Sequence, residues 1–178
     1  MMSRIALGVV GALALLAPAG AMAQDEQSTN RVAAETDWSV FVEDDPTECW
    51  AVSQPKETVN TRDGRVVAVR RGDILLFTFF RPGAGIEGQV TFTGGYPFAE
   101  GSTVNVNIGG TEFELYTDGE WGWPATAEDD RRIIEAMKAG VDAVLTARSS
   151  RGTTTKDTFS LLGYTAALEE AQRRCSGD

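Results

Sequence analysis

Carboxylates are the reactive side chains this sequence holds in quantity. Aspartate and glutamate number 26 against 16 lysines and arginines, and the 178 residues contain no histidine. Two clusters are dense enough to suggest a site: Glu43, Asp44, Asp45 and Glu48 in one acidic turn, Glu128, Asp129 and Asp130 in another. Paired carboxylates can hydrolyse a glycan, but that chemistry needs two acids facing each other across a cleft at a set separation, which neighbours in a turn lack. The simpler reading makes the first cluster a solvated turn and the second the negative start of a helix. Residues 42–48 (VEDDPTE) and 117–123 (TDGEWGW) offer oxygens for calcium, although neither has the spaced ligands of a dedicated loop. Without histidine there is no imidazole to activate a serine or cysteine, and no imidazole metal ligand. The inventory points away from an enzyme, and no cofactor or metal is expected.

Three further groups could contact a partner. Trp121 and Trp123 are two apart, so an extended segment presents both indoles to one side; such a pair either covers the edge of a core or grips a ligand. Tyr96 and Phe98, around Pro97, allow the same two readings: a turn that plugs the core, or part of that contact surface. Arg71, Gly72 and Asp73 spell a tripeptide that animal-cell adhesion receptors bind on exposed loops. Set between two apolar runs, the same residues read as a tight hairpin turn.

The chain start bounds where such surfaces would work. Arg4 precedes an apolar run over residues 5–17, and Ala21, Met22 and Ala23 supply a small-residue cleavage site. This is the pattern of a cleavable secretory signal over residues 1–23, and no segment has the roughly 20 apolar residues of a spanning helix. Taking 23 residues from 178 leaves 155, enough for one domain. Loss of Arg4, the only charge in the leader, moves the net charge from -10 to -11. Such a field repels phosphate backbones, so nucleic acid is not expected as a partner. The two cysteines of an exported chain, Cys49 and Cys175, point to a disulfide, free thiols being the alternative.

The elements that must position these groups are mostly strands. Residues 24–36 are polar and aperiodic, which suggests a mobile segment ahead of a domain over residues 37–178. Alternation marks strands in residues 38–43, 49–55, 64–71, 89–98, 103–108 and 111–117, with Pro46 as a breaker and Gly109 and Gly110 as a hairpin turn. The nearly continuous apolar run ILLFTFF, residues 74–80, suits a central strand covered on both faces. Residues 126–140 read as a short helix, with Thr126 as cap, acids in the first turn and Gly140 as stop. A hairpin over residues 141–163 and a terminal helix over residues 164–175 complete a mostly β, sandwich-like domain with one inserted and one C-terminal helix.

The spacing of Trp38 and Cys49, the segments GGYPF and TVNVNIGG, and above all the tail EDDRRIIEAMKAGVDAVLTARSSRGTTTKDTFSLLGYTAALEEA together resemble the invasion-associated locus B family of exported bacterial proteins. The resemblance spans most of the mature chain and is strongest at SLLGYTAAL, residues 160–168. It implies a β-rich extracytoplasmic domain, periplasmic or at the outer surface, with no established catalysis and a proposed link to host-cell entry in some members. The export signal, the β-rich pattern and the missing catalytic inventory together point to a binding domain whose partner is an envelope protein or glycan. Typical members carry further cysteines where this chain has Phe41 and Val42 and the region of Trp121 and Trp123.

Overall fold

A computed structural model describes residues 30–45 and 47–177. The leader expected over residues 1–23, the first part of the polar segment and Pro46 lie outside those residues. The described chain forms twelve strands, two α-helices and one 3-10 turn, Pro82–Ala84. The strands are β1 Arg31–Glu35, β2 Trp38–Asp44, β3 Thr47–Ser53, β4 Glu57–Arg62, β5 Arg65–Val66, β6 Leu75–Arg81, β7 Ile86–Thr93, β8 Thr103–Ile108, β9 Thr111–Asp118, β10 Trp121–Trp123, β11 Asp142–Arg148 and β12 Thr154–Ser160. The helices are α1 Ala127–Ala139 and α2 Tyr164–Ser176.

All twelve strands join one sheet in the order β1-β2-β3-β6-β7-β10-β9-β8-β11-β12-β4-β5, and every pairing is antiparallel. The sheet folds back on itself. Phe92 of β7 meets Phe159 of β12 edge to face, with ring centroids 6.1 Å apart, although four strands lie between them in that order. The two halves of one sheet thus serve as the layers of the expected sandwich, and their inward residues share one core with α1 and α2.

Alternation sets which side chains enter that core. Trp38 and Val40 of β2, Cys49 and Ala51 of β3, and Leu76 and Phe80 of β6 are buried inward, while Phe41, Trp50, Phe77 and Phe79 take the opposite parity. Helix α2 lies over β2 and β3. Its Tyr164 is fully buried, its hydroxyl 3.0 Å from Thr78 Oγ1 and its ring 4.8 Å from that of Trp38, whose Nε1 donates to Ser160 O. A disulfide between Cys49 and Cys175 fastens the end of α2 to β3, closing a sequence separation of 126. In the chain-entropy account a link that long contributes on the order of 4 to 5 kcal/mol.

Helix α1 begins as its sequence indicates. Thr126 Oγ1 accepts from Asp129 N, three acids occupy the first turn and Lys138 the last. The third acid turns inward: Asp130 is buried, and its Oδ1 accepts from Val90 N at 2.8 Å. Burial, and secondarily the neighbouring Asp129, pushes its carboxyl up to about 6, against the pull of that hydrogen bond.

Three expectations are corrected. The segment over residues 24–36 is not all aperiodic, because residues 31–35 form β1 on the edge of β2. Backbone pairing to β2, with Ala33 packed against the edge of the core, orders a strand whose small side chains give no strong apolar period. Residues 64–71 do not form a full strand: only Arg65–Val66 pairs, with β4, across a turn in which Asp63 and Gly64 both have positive φ. The hairpin signal is therefore Asp63-Gly64, and Arg71, Gly72 and Asp73 do not form a hairpin turn between paired strands. Strand β4, unrecognised in the sequence, lies near the other edge with none of its residues fully buried, so it carries no run of large apolar residues.

Candidate functional site

The side chains of outward parity on one half of the sheet are largely aromatic. Phe41 stacks on Trp50 at 5.6 Å, Trp50 meets Phe79 at 5.8 Å, Phe79 stacks on Phe77 at 4.9 Å, and Phe77 meets Trp121 at 6.0 Å. These contacts form a continuous row across β2, β3, β6 and β10. Trp123 shares the face of Trp121, and the register sets it directly opposite Tyr116 of β9. At this end the row opens to solvent: Tyr116 is 52% exposed, Trp121 43% and Trp123 36%. Along the rest of the row Phe41, Trp50 and Phe77 line an open groove of about 780 Å³, with Lys56 and Asp73 also on its wall.

Short strand β10 explains the open end. Trp121 pairs with Thr93 of β7 and Asp118 of β9, and Gly122 turns its bare Cα inward against Leu115 and Val104. With glycine on the core side, both indoles go outward, and Pro124, which has no N–H to donate, follows the strand. The expected geometry of Trp121 and Trp123 is the one observed. Sequence reasoning missed Tyr116, Phe77, Phe79, Trp50 and Phe41. Their parity relative to Leu115, Leu76, Phe80 and Cys49 was the available signal.

Tyr96 and Phe98 do not belong to this face. Phe98 is 7% exposed and packs against Phe92 and Tyr96. The Tyr96 hydroxyl lies 2.5 Å from Thr155 Oγ1, and its ring lies under the Arg71 guanidinium at 5.0 Å. Of the two readings open for this turn, the structure places both rings in the core plug.

Arg71 is a buried structural cation. Its guanidinium makes a bidentate pair with Asp157 at 2.7 and 2.6 Å and donates from Nε to Gly94 O at 2.8 Å and from Nη1 to Asn60 Oδ1 at 3.3 Å. The two charged side chains are 6% and 0% exposed. Burial pushes the Asp157 carboxyl above the usual carboxylate range, a shift the guanidinium opposes. Gly72 N donates to Gly95 O at 2.8 Å, and a Cβ on Gly95 would lie 2.5 Å from Gly72 O, so the two backbones meet where side chains cannot fit. Asp73 is the one exposed side chain of the three. An adhesive use of the tripeptide requires its arginine free, and here that arginine neutralises a core carboxylate.

The acidic clusters are largely occupied by local partners. Glu48 pairs with Arg81, Asn30 donates to Glu43, Glu128 pairs with Arg131, and Asp129 pairs with Arg132. Among the described residues no three Cys, Asp or Glu side chains converge as metal ligands, and no helix is long and apolar enough to cross a membrane.

These features define a mostly β domain whose C-terminal helix is held by a disulfide and whose exposed chemistry is aromatic. The family model described as "Invasion associated locus B (IalB) protein" matches residues 38–172, and the chain belongs to that family. Among solved structures it is similar to the crystal structure of invasion associated protein B from Bartonella henselae, with 16% identity over 78% of this chain and 94% of that one and a TM-score of 0.53. At that identity the likeness bears on the fold alone. No curated protein matches the chain.

Proposed function

We propose that the chain is an exported, non-catalytic binding domain that acts in the periplasm or at the cell surface, with the open end of the aromatic row, Trp121, Trp123 and Tyr116, as its contact surface for an envelope component or protein partner. The observation that carries this reading is the exposure of three large rings on one sheet face, continuous with four partly or wholly covered rings. Large exposed apolar surface of this kind is unusual on a free domain and characteristic of contact surfaces, and Trp and Tyr are the side chains that most often anchor them. The disulfide fits an oxidising compartment, and the family's exported members agree with the leader over residues 1–23.

The test compares what immobilised wild-type protein and the Trp121→Ala/Trp123→Ala variant retain from an envelope extract. A Val141→Ala/Leu162→Ala variant serves as control, because those apolar residues are exposed and belong to none of the strands that carry the row. A component held by wild type and control but not by the tryptophan variant supports the reading. Identical retention by all three proteins refutes this choice of surface.

A further inference from the structure

We infer that the ligand of the aromatic face is a basic protein segment, with arginine and lysine side chains laid over Trp121, Trp123 and Tyr116 and paired with the carboxylates beside them; this rests on the reading of that face as the contact surface. The charge pattern supplies the argument. Between Arg81 and Arg131 the chain has no lysine or arginine, yet it holds nine aspartates and glutamates. That stretch contains β7, β8, β9 and β10, the strands around the open rings.

The register brings several of these acids to the rings. Asp118 pairs directly with Trp121, Glu120 precedes Trp121 in the turn, and Glu112 and Glu114 share the parity of Tyr116 on β9. Among the described residues none of these four carboxylates enters an ion pair. The cations nearer the other end of the row are already committed: Arg81 stands over Phe79 at 4.6 Å and pairs with Glu48, and Lys56 pairs with Asp37.

An indole or phenol face attracts a guanidinium or ammonium through its ring quadrupole, and an adjacent carboxylate adds a charge-assisted hydrogen bond. Rings and acids together therefore select a cation with an apolar stem, which is a lysine or arginine side chain. Anionic lipids, phosphorylated glycans and nucleic acids meet the patch with like charge. A field of one sign also accelerates encounter with a basic partner and makes it salt-dependent.

The probe is a short synthetic peptide of alternating arginine and glycine, with a counterpart carrying uncharged citrulline at each arginine position. Binding to the full disulfide-bonded chain is followed by fluorescence anisotropy of the labelled peptide. Circular dichroism confirms that each variant is folded. The arginine peptide should bind and the citrulline peptide should not, and affinity should fall by at least about fivefold in Trp121→Ala/Trp123→Ala and again in Asp118→Asn/Glu120→Gln. Absence of binding overturns the inference, and so does binding that added salt abolishes but the tryptophan change leaves intact, which is general attraction to an acidic protein. A neutral or acidic partner trapped at positions 121 or 123 in cells would leave the contact surface standing and remove its cationic ligand.

Discussion

Replacing Arg71 by alanine isolates the energetic role of the Arg71-Gly72-Asp73 tripeptide. The substitution removes two short charge-assisted hydrogen bonds to Asp157, one to Gly94 O and the cation over Tyr96. It also strands a carboxylate whose side chain is 0% exposed. Breaking a buried pair by deleting one partner costs about 3 to 5 kcal/mol, most of it the penalty of the uncompensated charge. For a domain of this size that is a fall of roughly 10 °C or more in Tm. Asp73→Ala, at an exposed side chain, should stay within about 0.5 kcal/mol of wild type. Arg71→Met with Asp157→Leu should recover most of the loss, because an apolar pair of similar volume leaves no buried charge. Urea unfolding of the oxidised protein, followed by circular dichroism, measures all three. Equal effects of Arg71→Ala and Asp73→Ala, or a double variant no better than Arg71→Ala, would refute the assignment of Arg71 as a core counter-ion.

Three further outcomes follow from the packing. Asp130 has its folded-state carboxyl at about 6, above the ordinary 3.8, so its contribution to stability is full below pH 3.8 and is lost as the pH rises through 6; relative to wild type, Asp130→Asn should therefore gain about 2 kcal/mol between pH 4 and pH 7.5, read from urea midpoints at the two values. Reduction of the wild-type disulfide, or Cys49→Ala with Cys175→Ala, should lower stability by on the order of 4 to 5 kcal/mol, and denaturation with and without dithiothreitol compares the two routes. Tyr164→Phe should cost about 1 to 3 kcal/mol by leaving Thr78 Oγ1 buried without its partner, whereas adding Thr78→Val should return part of it, as a double-mutant cycle would report.

Much of the fold was legible because one face of most strands is buried, so alternation between large apolar and other residues survives in β2, β3, β7, β8, β9 and β11. Helix α1 was legible from its cap and first-turn acids. Strands β1 and β4 were not, because they take their order from backbone pairing near the sheet edges and need no apolar period. The tripeptide misled because local turn chemistry carries no information about a partner 86 residues away. A nonlocal clue did exist: Thr155, Asp157 and Phe159 share one parity in β12, which places a carboxylate in the core and requires a cation for it. The tryptophan pair of the candidate surface was visible in WGW, but the row behind it depends on which strands are neighbours, and the order β2-β3-β6-β7-β10 cannot be read from local periodicity.

If the open end of the aromatic row is a contact surface, it meets its partner in the cell. Photoreactive side chains placed singly at positions 116, 121 and 123, with 141 and 162 as exposed apolar controls, test it in living cells that export the protein. One shared crosslinked species should form at 116, 121 and 123 and none at 141 or 162. Adducts of equal yield at all five positions, or none at the three rings, would contradict it.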